Sequence, residues 1–331
     1  MKVCIFGAGA IGGFIGARLA STGHQISAVA RGATAAALRE HGFRVRSKGV
    51  VERFDVQVAE DPAALGVQDV VVISVKAPSL PSVAERIAPL LGSDTIVLVA
   101  MNGVPWWFFD GFGGEHAGMQ LESVDPGGAI GRAIPARAVV GCVVHIACST
   151  PEPGLVQHNF GNTLILGEPS GGVSSRVESL AAALADAGFE TTASPMIQKD
   201  VWYKLWGNMT TNPMSALTGA TADLLLDDPQ VHAFCMQVMA EAAAVGARIG
   251  CPIEQTGEDR MRITRTLGAL KTSMLQDVEA RRAVELDAIV TAVHEIGRKV
   301  GQPTPFTDAL LGLARVQAQV LGLYPARKTE S

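Results

Sequence analysis

The chain has 331 residues, more than one hydrophobic core usually supports, so we expect two domains. The composition is 48% hydrophobic and 18% charged, which is typical of a globular protein, and the net charge of −5 comes without a block of Lys and Arg, so a nucleic-acid partner is not expected. The longest apolar runs are shorter than the roughly 20 residues that span a bilayer, and the first residues lack a signal-peptide pattern. We therefore expect a cytoplasmic protein with no membrane partner.

Short β-rich runs alternate with helical stretches in the first half of the chain. The predicted strands are Lys2–Phe6, Gln25–Ala30, Asp69–Ser74 and Thr95–Val99, and the predicted helices between them include Ile11–Thr22 and Ser82–Leu91. Such alternation is typical of parallel strands joined by crossover helices. The pattern therefore predicts the α/β class with an N-terminal Rossmann-type doubly wound sheet.

Helical periods dominate the remainder of the chain. Before them come strands at Ala138–Ala147, Thr163–Gly167 and Phe189–Ser194 and a helix at Ser174–Ala187; after Pro195 the helical runs include Val231–Ile249 and Glu279–Val300. We therefore predict a cofactor-binding domain over 1–194 and an all-helical substrate domain over 195–331. The polar tail Ala326–Ser331 is expected to be frayed.

The five cysteines form an odd set with no CxxC spacing, and most have apolar neighbours: Cys4, Cys142, Cys148, Cys235 and Cys251. Buried reduced thiols fit this pattern better than metal ligands or catalytic nucleophiles. No metal site is predicted.

Glycine or polar residues follow four of the predicted strands, namely Gly7, Arg31, Lys76 and Asn102. Ligands of doubly wound sheets bind at the carboxyl ends of the strands. We therefore expect these residues to face one crevice.

The run Gly7-Ala8-Gly9-Ala10-Ile11-Gly12 follows a strand and opens a helix, the context in which a GxGxxG pattern indicates dinucleotide binding. Gly7 permits a tight turn, Gly9 lets the backbone approach the pyrophosphate, and Gly12 lets the helix pack closely on the strand. The helix N-terminus would then offer N–H groups to the phosphates.

Arg31 lies at the end of the second strand, where NAD-binding proteins carry a carboxylate for the ribose 2′-hydroxyl. An arginine at this place can pair with the 2′-phosphate of NADP, so NADP is the predicted cofactor. The alternative is a solvated surface arginine.

Lys204, Asn208 and Asn212 are spaced by four and form a polar stripe on an otherwise apolar helix. Pro213 should bend or locally open this helix, because it lacks an N–H group and crowds the carbonyl of Met209. Spacing alone leaves a surface lysine with two structural asparagines as an equal alternative.

A second cluster comprises Ser273 and Glu285, the latter on a predicted helix that also holds Arg281, Arg282 and Leu286. By spacing alone Glu285 would be a solvated helix residue, and the role of Ser273 stays ambiguous.

Taken together, the motifs resemble the ketopantoate reductase family from residue 1 to about 310. They are the N-terminal GxGxxG, Lys76, Met101-Asn102-Gly103, the Pro153-Gly154 turn with Gly161 and Gly167, WxKLxxNxxxN at Trp202–Asn212, Ser273-Met274-Leu275-Gln276-Asp277, Glu285 and Gly301-Gln302-Pro303-Thr304-Pro305. The order and spacing of the whole set carry the resemblance.

The resemblance implies reduction of a 2-keto acid, ketopantoate first, with Lys204 as the general acid. A lysine of ordinary pKa, about 10.4, is charged at neutral pH and can both stabilise and protonate a developing alkoxide. Among the other matched residues, Asn208 and Asn212 would position both the substrate and the Lys204 ammonium. The nicotinamide side would be lined by Asn102 and Lys76. Ser273 would bind the substrate carboxylate, and Glu285 would hold the substrate hydroxyl and orient the ammonium.

The segment Trp106-Trp107-Phe108-Phe109 departs from the simplest family pattern. It is interpreted equally well as a lid or wall of the substrate pocket, a small satellite core or a subunit contact.

Three alternative functions stay open. They are a paralogous reductase of another 2-keto acid, a dehydrogenase working in the oxidative direction, and a non-catalytic NADP sensor. The apolar faces of Val231–Ile249 leave a homodimer open.

Overall fold

The computed structural model describes residues 1–266 and 268–325, so the tail Ala326–Ser331 lies outside the described residues. The chain forms two compact units. The first, here called the sheet unit, comprises Met1–Asn102, Trp106–Phe112 and Gly127–Asp200; the second, the helical unit, comprises Gly103–Pro105, Gly113–Pro126 and the described part of Val201–Ser331.

A single sheet of ten strands organises the described residues of the sheet unit. The strands are β1 (Lys2–Phe6), β2 (Gln25–Val29), β3 (Phe43–Ser47), β4 (Val50–Phe54), β5 (Gln57–Ala59), β6 (Val70–Ile73), β7 (Ile96–Val99), β8 (Val139–Glu152), β9 (Leu155–Gly167) and β10 (Glu190–Ser194). Their order is β4-β3-β9-β8-β7-β6-β1-β2-β5, with β10 beside β9. Neighbours among β2, β1, β6 and β7 are parallel.

Five α-helices accompany this sheet in the described residues: α1 (Ala10–Ser21), α2 (Gly32–His41), α3 (Leu80–Ala84), α4 (Ala129–Ala133) and α5 (Ser175–Asp186). The strands β6 and β7 are wholly apolar, and β1 is apolar after Lys2, as is typical of parallel strands that are covered on both faces. Ile5 on β1 and Phe14 on α1, for example, belong to one buried cluster. The α/β class with a Rossmann-type sheet, predicted from the alternation, is confirmed.

Several elements differ from the sequence prediction. The strands β3, β4 and β5 and helix α2 were not predicted. The predicted helix Ser82–Leu91 is wrong, because α3 ends at Ala84 and only a 3₁₀ turn follows at Ala88–Leu90. Pro89 in that turn has no N–H group to continue an α-helix. The antiparallel pair β8–β9 is longer than predicted and turns at Pro153-Gly154, where Gly154 has φ +72°.

The aromatic segment Trp106–Phe109 belongs to the sheet unit. Trp107, Phe108 and Phe109 are almost fully buried, and the rings of Phe108 and Phe109 meet edge to face with centroids 5.0 Å apart. A Cβ atom on Gly141 would lie 2.6 Å from the Trp107 ring, so Gly141 makes room for the indole. These rings are core residues of the sheet unit, which favours the interpretation as a small core over a lid or a subunit contact.

Every regular element in the described part of the helical unit is a helix, as predicted for the C-terminal region. Helix α6 (Ile197–Thr218) begins in the sheet unit and continues into the helical unit. It is followed by α7 (Ala222–Asp227), α8 (Pro229–Arg248), α9 (Gly257–Arg265), α10 (Ser273–Glu279), a π-helix (Asp287–Thr291), α11 (Ala292–Lys299) and α12 (Pro305–Val320). The buried indoles of Trp202 and Trp206 donate to carbonyls of α8 at 3.3 and 2.8 Å, which fixes α6 against α8.

Two helical predictions need correction. Helix α6 is continuous through Pro213, so the predicted local opening does not occur. The predicted helix Glu279–Val300 is interrupted over residues 280–285, where Arg281 takes a left-handed conformation with φ +53°. The turn is closed by Arg282, whose backbone N–H and Nε donate to the carbonyl and carboxylate of Asp277 at 2.8 and 3.2 Å.

None of the helices in the described ranges combines the length and apolar content needed to cross a bilayer. Four of the five thiols are buried, and Cys148 is half-buried. Burial raises the pKa of the Cys4 and Cys235 thiols to about 11 and that of Cys148 to about 12, which disfavours the reactive thiolate.

Candidate active site

The glycine-rich turn joins β1 to α1 and leaves its helix N-terminus uncovered. Gly7 has φ +107°, a conformation that favours glycine, and its carbonyl accepts from the N–H of Gly9 at 2.8 Å. Gly9 is the N-cap of α1, and no side chain caps the helix there. A Cβ atom on Gly9 would meet nothing within 4 Å, so the space beside this turn is open to a ligand.

Gly12 and Ser74 close the opposite side of the turn. A Cβ atom on Gly12 would overlap the Ser74 hydroxyl and the Gly7 carbonyl, so only glycine fits. The Ser74 hydroxyl donates to the Gly7 carbonyl at 2.9 Å. Sequence reasoning missed Ser74, although a small hydroxyl residue directly after the neighbouring strand β6 is a signal that could have identified it.

The residues predicted at the strand ends lie along one edge of the sheet. Gly7, Arg31, Lys76 and Asn102 follow β1, β2, β6 and β7, which are adjacent and parallel. Arg31 is exposed and is the N-cap of α2, whereas Lys76 and Asn102 are half-buried. Ala8, Ala10 and Ile11 of the turn are also half-buried. The open N-terminus of α1 and the exposed cation at the end of β2 could hold the phosphate groups of a dinucleotide.

The two polar clusters predicted separately in the C-terminal half meet in the helical unit. Lys204 and Asn208 are half-buried on α6, and Asn212 is buried. The amide Nδ2 of Asn212 donates to the Ser273 hydroxyl at 3.4 Å. Ser273 is the first residue of α10, and it is exposed, while the preceding Thr272 caps the helix by accepting from the Leu275 N–H at 3.2 Å.

Glu285 differs from the sequence prediction in both conformation and environment. It precedes the helical turn at Leu286 rather than lying within a helix with Arg281 and Arg282. Its side chain is 5% exposed, so the interpretation as a solvated helix residue is wrong. A buried carboxylate needs a hydrogen-bonded or charged environment, which is the setting expected for a functional group.

Comparisons with known proteins agree with this architecture. The family model for ketopantoate reductase PanE/ApbA matches residues 3–171, and the model for its C-terminal part matches 196–318. A 2-dehydropantoate 2-reductase from Mesorhizobium japonicum is 44% identical over 325 residues, which cover 98% of this chain and all of that protein.

Solved structures with similar folds come from proteins of the same description. A crystal structure from Ralstonia solanacearum MolK2, provisionally assigned as a ketopantoate reductase, is 57% identical with a TM-score of 0.94 and covers 98% of this chain and 99% of that one. The 2-dehydropantoate 2-reductase of Methylococcus capsulatus is 26% identical with a TM-score of 0.82, and 99% of each chain is covered. The fold and the glycine-rich turn define a Rossmann-type protein with a helical second unit. Within that class, the chain belongs to the ketopantoate reductase family.

Proposed function

We propose that the protein is a cytoplasmic 2-dehydropantoate 2-reductase, which reduces ketopantoate to pantoate with NADPH as a step of pantothenate and coenzyme A biosynthesis. The observation that carries the proposal is the 44% identity to a relative of that name over the whole length of both chains. The glycine-rich turn and the cluster of Lys204, Asn212 and Ser273 support it with chemistry suited to a reductase.

Lys204 is the proposed general acid. NADPH, when bound, would supply a hydride to the ketone carbon. As that carbon accepts the hydride, the carbonyl π electrons move to oxygen, and the Lys204 ammonium stabilises the developing alkoxide and donates a proton to it. The half-buried position of Lys204 supports this role, because partial exclusion of water strengthens the interaction of the ammonium with the alkoxide.

The polar residues around Lys204 are the proposed substrate ligands. Asn208 and Asn212 position the substrate and the ammonium, and Ser273 donates to the substrate carboxylate. The contact between Asn212 and Ser273 supports a shared site, because it places an amide and a hydroxyl together. Glu285 is the proposed acceptor for the substrate hydroxyl, and its burial supports a strong, oriented interaction.

Residues 1–194 are the proposed cofactor domain and 195–331 the proposed substrate domain. The backbone of Gly7–Gly12 would hold the pyrophosphate, and Lys76 and Asn102 would line the nicotinamide side. Arg31 would pair with the 2′-phosphate and so select NADP over NAD. The exposure of Arg31 at the end of β2 supports that assignment, since a ligand phosphate can reach the guanidinium there.

The test follows the oxidation of NADPH, at its absorbance band, by the purified protein with ketopantoate and a panel of other 2-keto acids, with NADH in parallel. We expect the highest kcat/KM with ketopantoate and NADPH. A higher kcat/KM on another keto acid would contradict the substrate assignment. Absence of turnover on every keto acid, with NADPH still bound, would contradict the enzymatic proposal and favour the NADP sensor.

A further inference from the structure

The backbone on both sides of Glu285 is tied to other parts of the helical unit. On the N-terminal side, the Val284 N–H donates to the Leu323 carbonyl at 3.2 Å. On the C-terminal side, the Glu285 carbonyl accepts from the Ile289 N–H at 3.3 Å, within the π-helix turn that follows. The segment Leu321–Pro325 therefore pairs directly with the residue that precedes Glu285.

The same segment also fixes the residue two positions after Glu285. The Tyr324 hydroxyl donates to Asp287 Oδ1 at 2.6 Å, and the Thr291 hydroxyl donates to the same oxygen at 3.0 Å. Burial, and secondarily the hydrogen bond to Asp287, raises the pKa of Tyr324 above its ordinary value. The phenol therefore stays protonated at neutral pH and remains a hydrogen-bond donor.

The helix that begins beside Glu285 has an unusual first turn. Residues Asp287–Thr291 form a π-helix, and the Ala288 carbonyl accepts from the Val104 N–H at 2.8 Å. Gly103 has φ +86°, and a Cβ atom there would lie 2.5 Å from the same carbonyl. Because π turns are rare and concentrate at functional sites, the π-helix Asp287–Thr291 and its bond to Val104 indicate that the backbone after Glu285 has a functional conformation.

We propose that Tyr324 is a positioning residue for Glu285. Through Asp287 on one side and through the Leu323–Val284 pairing on the other, the segment Leu321–Pro325 holds the loop that carries the Glu285 carboxylate. The inference rests on the proposed function, because it assigns Tyr324 a role in reduction of the keto acid. It adds a residue from a segment that none of the sequence motifs includes.

Loss of the Tyr324 hydroxyl should lower kcat/KM, because small displacements of a reacting group such as the Glu285 carboxylate reduce the rate. Removal of the Tyr324 hydroxyl leaves Asp287 Oδ1 with Thr291 and releases one of the contacts that fix the turn after Glu285. A displacement of about 1 Å in a reacting group can cost on the order of 100-fold in rate. For Tyr324→Phe we expect kcat/KM for ketopantoate to fall by about 10-fold, with a higher KM for the keto acid.

The test is a double-mutant cycle on the full chain with Tyr324→Phe, Glu285→Gln and the double variant. If Tyr324 acts through Glu285, Tyr324→Phe lowers kcat/KM in the wild-type background and has no further effect in the Glu285→Gln background. The dissociation constant of NADPH, measured by fluorescence, stays unchanged in all variants. If Tyr324→Phe does not fold, as judged by circular dichroism, Asp287→Ala replaces it in the same cycle, because it removes the oxygen that accepts from Tyr324.

Thr304→Val is the matched control, because it removes a hydroxyl bond to an aspartate of the same unit, from Thr304 to Asp308 at 2.9 Å. We expect no change in kcat/KM for this variant. Equal losses from Tyr324→Phe in both Glu285 backgrounds, or no loss in either, would overturn the inference while leaving the reductase proposal intact. A wild-type protein that reduces no 2-keto acid would overturn both.

Discussion

The Ser74 hydroxyl donates a hydrogen bond to the Gly7 carbonyl at 2.9 Å and so joins the ends of two neighbouring parallel strands, β6 and β1. The bond satisfies a carbonyl of the glycine-rich turn from the side on which Gly12 packs. No side chain caps the N-terminus of α1, so the N–H groups at the start of that helix can bind a ligand, and the Ser74 bond holds the turn that leads into them.

Replacement of Ser74 by Ala should therefore weaken both the fold and cofactor binding. We expect a loss of about 1 kcal/mol in the free energy of unfolding and a several-fold rise in the NADPH dissociation constant. Chemical denaturation and calorimetric titration measure the two quantities. Ser21→Ala is the control, because its hydroxyl bonds the Arg18 carbonyl at the far end of α1, at 2.7 Å. An NADPH affinity equal to that of the control would refute the role of Ser74.

Alanine substitutions at Gly9 and Gly12 should have different effects. At Gly9 the new Cβ meets no protein atom, so we expect unchanged thermal stability without ligand and an NADPH dissociation constant raised by at least about tenfold. At Gly12 it overlaps Ser74 and the Gly7 carbonyl, so stability itself should fall by about 1–3 kcal/mol. Thermal melting with and without NADPH separates the two cases. Unchanged NADPH affinity of Gly9→Ala would show that the pyrophosphate binds elsewhere.

Arg31→Ala should weaken NADPH far more than NADH. Loss of a charged hydrogen bond to the 2′-phosphate costs about 1.5–3 kcal/mol, or about 10- to 150-fold in the dissociation constant. Arg39→Ala is the control, because Arg39 lies on the adjoining helix α2 and pairs with Glu60 at 3.2 Å. Titration of each variant with both cofactors is the measurement, and equal weakening of NADPH and NADH would remove Arg31 from the 2′-phosphate site.

Lys204→Ala should lower kcat for ketopantoate by about 10²- to 10⁴-fold, the range expected for loss of a general acid, with NADPH binding retained. Lys199→Ala, an exposed lysine on the same helix, should leave kcat unchanged. Steady-state kinetics and NADPH titration are run on both variants. Activity of Lys204→Ala within a few-fold of wild type would mean that another group donates the proton.

The sequence predicts the elements whose pattern is local and strong. The strands β6 and β7 are continuous apolar runs, β1 and β2 are mostly apolar, and each of the four is predicted to within two residues. The strands β3 and β4 are not, because charged residues such as Arg44, Arg46 and Glu52 interrupt their apolar pattern. They are stabilised by pairing with each other and by pairing of β3 with β9, more than 100 residues later, which no local pattern encodes.

The candidate site shows the same division between local and long-range information. The four-residue spacing of Lys204, Asn208 and Asn212 predicts one helix face, and α6 has that stripe. The burial of Glu285 was not predictable from spacing, because the turn before it depends on a left-handed Arg281 rather than on a glycine or proline. The contacts of Tyr324 with Asp287 likewise join residues 37 positions apart.

The most direct test of the central proposal is to follow the hydride itself. The protein is incubated with ketopantoate and NADPH that carries deuterium at both C4 positions of the nicotinamide, and the product is analysed by mass spectrometry. We expect pantoate with one deuterium at C2, formed by the wild type and by Lys199→Ala but at a strongly reduced rate by Lys204→Ala. Absence of pantoate, or pantoate without deuterium, would contradict hydride transfer from NADPH to the 2-keto acid.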